Sequence, residues 1–390
     1  MRRTGTLCAT FVLIGLGSAA PAQAAAPPEC GSRPATIVGT EGPDVITGTP
    51  GFDVIVGLGG NDSVSGAIGG DFVCGGSGDD EIISPRGLVA YGDEGNDRIE
   101  VGEGSLTDVA RIHGGPGNDV LVNRGLVQTS ADGGSGDDRL VGGPGRDDFE
   151  PGPGIDVVDG GDGDNTVYYA SSAVPVTVNL TSGIAMGQGR DTLTGIDNIT
   201  GSLFDDRLIG DDRGNIFNGF TGLDYIAGRG GNDDLGGYGT LLGGDGDDLI
   251  QDICCDPPAT DDVIDGGAGI DTLALDWSES GVTLDLTLGT ASGTATGEDT
   301  VAGIEIVMGT TFGDILIGDG LGNRLEGRGG PDRLEGRGAA DKLYGGSGTD
   351  TILGQNGDDF LAGGPGTDNL DGGAGQDTCT AGEITVGCES

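Results

Sequence analysis

Aspartate recurs at one phase of a nine-residue period. From Gly345 the chain reads GGSGTDTIL, GQNGDDFLA, GGPGTDNLD and GGAGQDTCT, four nonapeptides in register that end at Thr380. Each has Gly first, Gly fourth and Asp sixth, and an apolar residue or Cys eighth. Glycine at the first, second and fourth positions permits positive φ, so the backbone can turn sharply and bring its carbonyls close to a ligand. The sixth residue adds a hard oxygen anion at that turn. Carboxylate and carbonyl oxygens at this density are what Ca²⁺ takes, with roughly six to eight ligands. Turn propensity alone explains Asp in a turn. It does not explain Asp at a fixed phase while the eighth position stays apolar.

The elements that must position these carboxylates follow from the same period. Positions seven to nine alternate polar, apolar, polar, the pattern of a short strand with one buried face. A turn plus a strand makes half a coil, so two nonapeptides complete one coil of a flattened solenoid. Carboxylates on the same side then stack in columns that repel unless neutralised. No segment keeps a 3.6-residue period free of glycine, so no helix is expected. The expected fold is all-β, a right-handed parallel β-roll or β-solenoid built from nine-residue repeats.

The unit GGxGxDxUx, present in more than twenty copies, resembles the RTX (hemolysin-type) calcium-binding repeat. The resemblance implies multiple Ca²⁺ ions, each between one turn and the next on the same side. Asp332 should then share an ion with Asp350, and Asp341 with Asp359. The candidate ligands with full turns and full neighbours are Asp62, Asp71, Asp80, Asp138, Asp147, Asp156, Asp332, Asp341, Asp350, Asp359, Asp368 and Asp377. Asp97, Asp119, Asp206, Asp224, Asp233, Asp248, Asp271 and Asp314 occupy the same phase in looser surroundings, as do Asp44 and Asp53. Asn165, Asn215 and Asn323 hold the slot without charge and should make weaker sites or none.

In chain order, residues 1–26 read as a secretory signal: Arg2 and Arg3, an apolar run from Leu7 to Leu16, and a small-residue cleavage site at Ala22-Gln23-Ala24. The run is too short to span a bilayer, which takes about 20 apolar residues. Residues 27–38 form an N-terminal cap and 39–168 a first repeat block, in which Ser105–His113 and Asn123–Asp132 keep the length but lose the ligands. Two irregular β inserts, 169–200 and 275–308, resemble each other: Val176-Thr-Val-Asn-Leu180 matches Val282-Thr-Leu-Asp-Leu286, and Asp191-Thr-Leu-Thr-Gly-Ile-Asp197 matches Asp299-Thr-Val-Ala-Gly-Ile-Glu305. They read as wider coils of one solenoid in a duplicated unit, since neither is long enough to bury its own core. Block two is 201–274, with a five-residue insertion Asp252–Asp256; block three is 309–380, and 381–390 forms a C-terminal cap. The signal and both caps suggest a complete chain rather than a piece of a larger adhesin.

Composition narrows the partners. The 390 residues hold 86 Gly, and 64 Asp plus Glu outnumber 18 Lys plus Arg, for a formal charge of −46. Such a surface should repel nucleic acid, and no membrane insertion is expected. Low apolar content with high charge is the mark of disorder, but periodic acid favours a fold that depends on metal. Beyond the signal lie six Cys: 30, 74, 254, 255, 379 and 388. An even count in an exported chain favours disulfides, though six allow fifteen pairings. Position prefers Cys30–Cys74, pinning the lead across the first coils, and Cys379–Cys388, pinning the tail to an eighth-position slot. Cys254 and Cys255 are left as a vicinal pair or free thiols. A zinc site has neither CxxC spacing nor a second His in its favour.

Catalysis has few candidates. One His, His113, excludes HExxH chemistry, and no GxSxG elbow or phosphate-binding GxxxxGK[ST] occurs. Carboxylate pairs are abundant enough to arise by chance, and a sugar cleft usually needs aromatic platforms. Asp276-Trp277, with the single Trp, is the one place of interest, and an aromatic packed on a coil edge is the simpler reading. The expectation is a secreted, non-enzymatic calcium-binding protein that folds on binding ions outside the cell, with a structural or adhesive role among envelope or matrix components. The alternative is a polysaccharide lyase or epimerase on a calcium-stabilised solenoid.

Overall fold

The computed structural model describes residues 27–388 apart from 67–69, 103–108, 127, 253–260, 277, 279, 294–296 and 382–383. The signal segment, Trp277, Cys254 and Cys255 therefore lie outside the described residues. Within them every regular element is a strand, and the chain winds as a parallel β-solenoid of about 18 turns. Two sheets run along its length. Sheet I holds 18 strands from Ile37–Val38 to Thr378–Thr380, and sheet II holds 22 from Val45–Thr47 to Ile384–Val386.

The nine-residue period sets this geometry directly. In block three the parallel register joins Leu334, Ile352 and Leu370 on sheet II, and Leu325, Leu343, Leu361 and Cys379 on sheet I. Each step is two nonapeptides, so one coil is two repeats. Every one of these residues except Cys379 is fully buried, and Cys379 packs against the same core. The eighth-position side chains of the two sheets thus form a single thin core along the axis. The hydroxyls, amides and charges of positions seven and nine face outward, as the strand alternation requires.

The inserts change sheet II alone. There Val157–Asp159 pairs in parallel with Arg190–Thr194, which pairs antiparallel with Ile184–Met186, which pairs antiparallel with Thr177–Asn179, which resumes parallel pairing with Arg207–Ile209. The second insert repeats the order through Gly297–Ala302, Thr290–Gly293 and Val282–Asp285 to Ile315–Ile317. Each insert therefore adds two strands to sheet II while sheet I passes by with one. The first buries Tyr169, Val176, Val178, Ala185, Leu193, Ile196 and Ile199, and the second Leu275, Val282, Leu284, Ala291, Val301, Ile304 and Val307. A regular coil buries only its two eighth-position residues.

Both preferred disulfides are present. Cys30–Cys74 ties the lead, a small antiparallel pair of Glu29–Cys30 with Arg33–Pro34, onto sheet I beside Val54 and Val56. Cys379–Cys388 holds the tail against the last coil.

Candidate metal centre

The stacked turns place the sixth-position carboxylates in two buried rows. One row precedes the strands of sheet II. It runs Asp44, Asp62, Asp80, Asp97, Asp119, Asp138, Asp156 and Asp191, resumes after the first insert with Asp206 and Asp224, skips one coil at Gly239, continues with Asp262 and Asp299 into the second insert, and ends with Asp314, Asp332, Asp350 and Asp368. The other precedes sheet I: Asp53, Asp71, Asp147, Asn165, Asp197, Asn215, Asp233, Asp248, Asp271, Glu305, Asn323, Asp341, Asp359 and Asp377. All twenty sequence-derived candidates stand in these rows. Asp332 adjoins Asp350 and Asp341 adjoins Asp359, one coil apart, the neighbours that ion sharing requires.

The second row is interrupted. In three successive coils the carboxylate slot holds Leu88, Ala110 and Thr129, all buried. Those coils, where the sequence loses its ligands around 105–113 and 123–132, have core in place of charge. Asp191, Asp197, Asp262, Asp299 and Glu305 also stand in the rows, although no glycine turn of the standard form announces them. Their signal was the bare Asp/Glu-x-apolar triplet, as in Asp191-Thr-Leu193.

One hydrogen bond recurs along both rows. In the regular stretches the backbone N–H of one aspartate donates to Oδ1 of the aspartate one coil on: Asp332 to Asp350 at 2.9 Å, Asp341 to Asp359 at 2.8 Å, Asp62 to Asp80 at 2.7 Å. The second oxygen folds back over the first glycine of its own repeat. A Cβ at Gly345 would lie 2.4 Å from Asp350 Oδ2 and 2.8 Å from the carbonyl oxygen of Gly363 in the next coil. Glycine is required there because a carboxylate oxygen and a carbonyl oxygen converge on the space a side chain would fill.

That second oxygen is buried without a hydrogen-bond partner in Asp62, Asp80, Asp97, Asp119, Asp138, Asp156, Asp224, Asp233, Asp248, Asp271, Asp332, Asp341, Asp350 and Asp359. A buried acceptor left bare is costly, and a buried bare charge more so. Burial accordingly pushes Asp332 and Asp224 up to about 8. It pushes Asp119, Asp156, Asp233 and Asp341 up to about 7, and Asp80, Asp97, Asp138 and Asp271 up to about 6. The donated N–H opposes the rise, and neighbouring carboxylates of the rows add to it. Bare buried oxygens, converging carbonyls and repelling carboxylates are the donor set of a hard divalent cation, so the residues fit calcium.

The other candidates lead elsewhere. Asp276 is ion-paired with Arg328 at 2.6 Å. His113 lies on the outer face of sheet I, stacked on Tyr91 with ring centroids 4.9 Å apart, its Nδ1 3.2 Å from Asp132.

Comparison with known families agrees with the geometry. The model of the RTX calcium-binding nonapeptide repeat matches residues 47–82, 89–105, 130–149, 152–171, 259–273, 317–352 and 344–379. No curated protein matches the chain.

Proposed function

This chain carries RTX calcium-binding nonapeptide repeats on a β-solenoid, and from that premise we propose that it is a secreted, non-enzymatic protein whose roll folds as calcium binds outside the cell. The observation that carries the reading is the double row of buried carboxylates, fourteen of which, from Asp62 to Asp359, turn one bare oxygen inward. The bound ion supplies positive charge between coils. The chain supplies the rest. Sixth-position carboxylates of adjacent coils, with first-glycine carbonyls such as those of Gly345 and Gly363, present the oxygens. In turns such as that of Asp350 the backbone N–H from the previous coil holds the carboxylate through Oδ1 and leaves Oδ2 as the oxygen that would hold the ion. The glycine turns bring these oxygens close, and the strands keep successive turns in register.

Coupling of folding to binding follows. With two core side chains per coil, the regular blocks depend on the ions for cohesion, so binding free energy becomes folding free energy. Extracellular modules typically bind calcium at about 10⁻⁴–10⁻³ M. At that affinity the chain stays unfolded inside the cell and folds outside. The two disulfides suit an oxidising compartment. A long, acidic, calcium-set rod suits a structural or adhesive role among envelope or matrix components, and the ion pair that occupies Asp276 favours no catalytic use of it. The test is far-UV circular dichroism of residues 27–390 in chelator and in millimolar calcium. A large gain of β signal with calcium is expected, and equal spectra overturn the reading.

A further inference from the structure

The repeats contain two turn conformations, and the second residue of each repeat decides between them. In the larger class that residue is left-handed: Gly346 has φ 100°, and the non-glycine residues Gln355 and Arg337 have φ 72° and 77°. Its N–H is spent elsewhere, as Gly346 N–H donates to the Gly363 carbonyl at 2.9 Å, and the sixth-position Oδ2 is bare, as in Asp350, Asp359 and Asp341. In the smaller class the second residue is not left-handed, and its N–H donates to the sixth-position side chain. Thr49 donates to Asp53 at 2.6 Å, Gly143 to Asp147 at 2.8 Å and Thr310 to Asp314 at 2.7 Å. Thr40 to Asp44, Ser202 to Asp206, Asp211 to Asn215 and Asp319 to Asn323 complete the class. Where the second residue is Ser or Thr, its hydroxyl donates to the same carboxylate: Ser202 Oγ lies 2.7 Å and Thr310 Oγ 3.0 Å from Oδ1.

We propose that the second residue of each repeat assigns its turn: left-handed turns hold calcium, and closed turns, including those of Asp147, Asp206 and Asp314, are ion-free and folded without it. In the closed turns of Asp147, Asp206 and Asp314 both carboxylate oxygens already accept donors, and a cation arriving there meets the positive ends of N–H and O–H dipoles. The internal bonds satisfy the buried carboxylate, so the coil needs no ion. The arrangement of closed turns adds to this. Six of the seven pair into whole coils: 39–56 at the start of the roll, 201–218 immediately after the first insert and 309–326 immediately after the second. Each insert, rich in core, therefore abuts a coil whose two turns are closed by their own backbone donors. These units divide the calcium rows into separate segments and give each a folded template.

The proposal rests on the calcium reading above, and two measurements separate them. Bound calcium is counted by equilibrium dialysis and metal analysis for the wild-type chain and for single variants. Thr310→Gly, which removes the hydroxyl and frees the backbone to turn left-handed, should gain at least one ion. Gln355→Thr, which sets a β-branched residue against a left-handed φ, should lose one or two at Asp359. Thr310→Ser, which keeps the cap, should leave the count unchanged and serves as the control for folding. Hydrogen exchange in chelator should find the amides of 309–326 protected while those of 327–380 exchange freely. A wild-type chain that takes up no calcium overturns the functional reading itself. A wild-type chain that binds calcium but whose count moves in neither Thr310→Gly nor Gln355→Thr, or whose coil 309–326 exchanges as fast as 327–380, overturns this assignment alone.

Discussion

Residues 275–326 and residues 327–380 are neighbours on one solenoid, yet they hold together by different means. The first stretch buries seven apolar side chains in its insert, adds antiparallel strands to sheet II and closes the turn of Asp314 with Thr310. The second is regular in sequence, has a core of one residue per strand and leaves bare oxygens on Asp332, Asp341, Asp350 and Asp359. Two arginines join them. Arg328 reaches back to Asp276, and Arg337 reaches Asp285 at 3.0 Å. The most regular repeats are thus the least self-sufficient part of the molecule. Perfect periodicity suits a repeating ion site, whereas irregular sequence is what an apolar core and local capping need.

Glycine substitution should break the contrast most sharply. Gly357 has φ 144°, and a Cβ there would meet the carbonyl oxygen of Ala339 at 1.5 Å, backbone against backbone between stacked turns. Gly357→Ala should cost on the order of 4 kcal/mol or more, the range reached when strain and steric overlap combine. Gly320, in the closed turn of Asn323, has open space around its Cβ position, and Gly320→Ala should stay within about 0.5 kcal/mol of wild type. Calcium-loaded chemical denaturation of both variants measures this. Equal losses would show that the two turn classes pack alike.

Core truncation is the next largest effect and should depend on calcium in only one region. Leu284 lies in the second insert and Leu343 in block three, and both are fully buried. Each truncation to Ala should cost about 2–5 kcal/mol with calcium present. In chelator Leu284→Ala should still lower the melting temperature of the residual structure, while Leu343→Ala should leave it unchanged, because its coil is not formed. A chelator-state effect of Leu343→Ala would mean that block three folds without ions.

Much of this architecture was legible in the sequence because nine-residue periodicity fixes strand, turn and coil together. The Gly345–Thr380 frame alone yields two repeats per coil, the Leu334–Ile352–Leu370 register and the facing carboxylates of Asp332 and Asp350. The eighth-position phase of Cys379 also located its disulfide. Three things were not legible. The inserts show alternating strand patterns, but a period of two does not say whether a strand runs parallel or antiparallel, so the added pair in each was hidden. Asp191, Asp262 and Asp299 enter the row by strand register across 23 to 37 residues, a long-range relation that their Asp-x-apolar triplets do not fix. The difference between Asp314 and Asp332 lies in the φ of one residue two places into the repeat, and the shared consensus conceals it.

The pH response should be the smallest effect and the one that best separates charge from packing. Burial raises Asp332 to about 8 and Asp341 to about 7, from an unfolded carboxylate value near 4. A folded-state value above the unfolded one means the ion-free fold holds more protons than the unfolded chain. Its stability contribution is then fully present below about pH 4 and is lost as pH rises through about 7 to 8. In chelator, block three should therefore gain β structure on acidification from pH 8 toward pH 4. Calcium works against the same protons, since ligands must be deprotonated to bind. Where acid has already folded and protonated the ion-free roll, the calcium midpoint should move to higher concentration as pH falls below about 8, by at most about tenfold per pH unit for each proton displaced, or about 1.4 kcal/mol. Asp314 is also raised by burial, but donated bonds from Val282 and Thr310 pull it back. Circular dichroism titrations at pH 6 and pH 8 should thus shift the calcium midpoint of the regular blocks, while exchange protection at 309–326 holds nearly constant. A midpoint independent of pH would mean that bare carboxylates do not govern binding, and that the contrast between the two regions rests on packing alone.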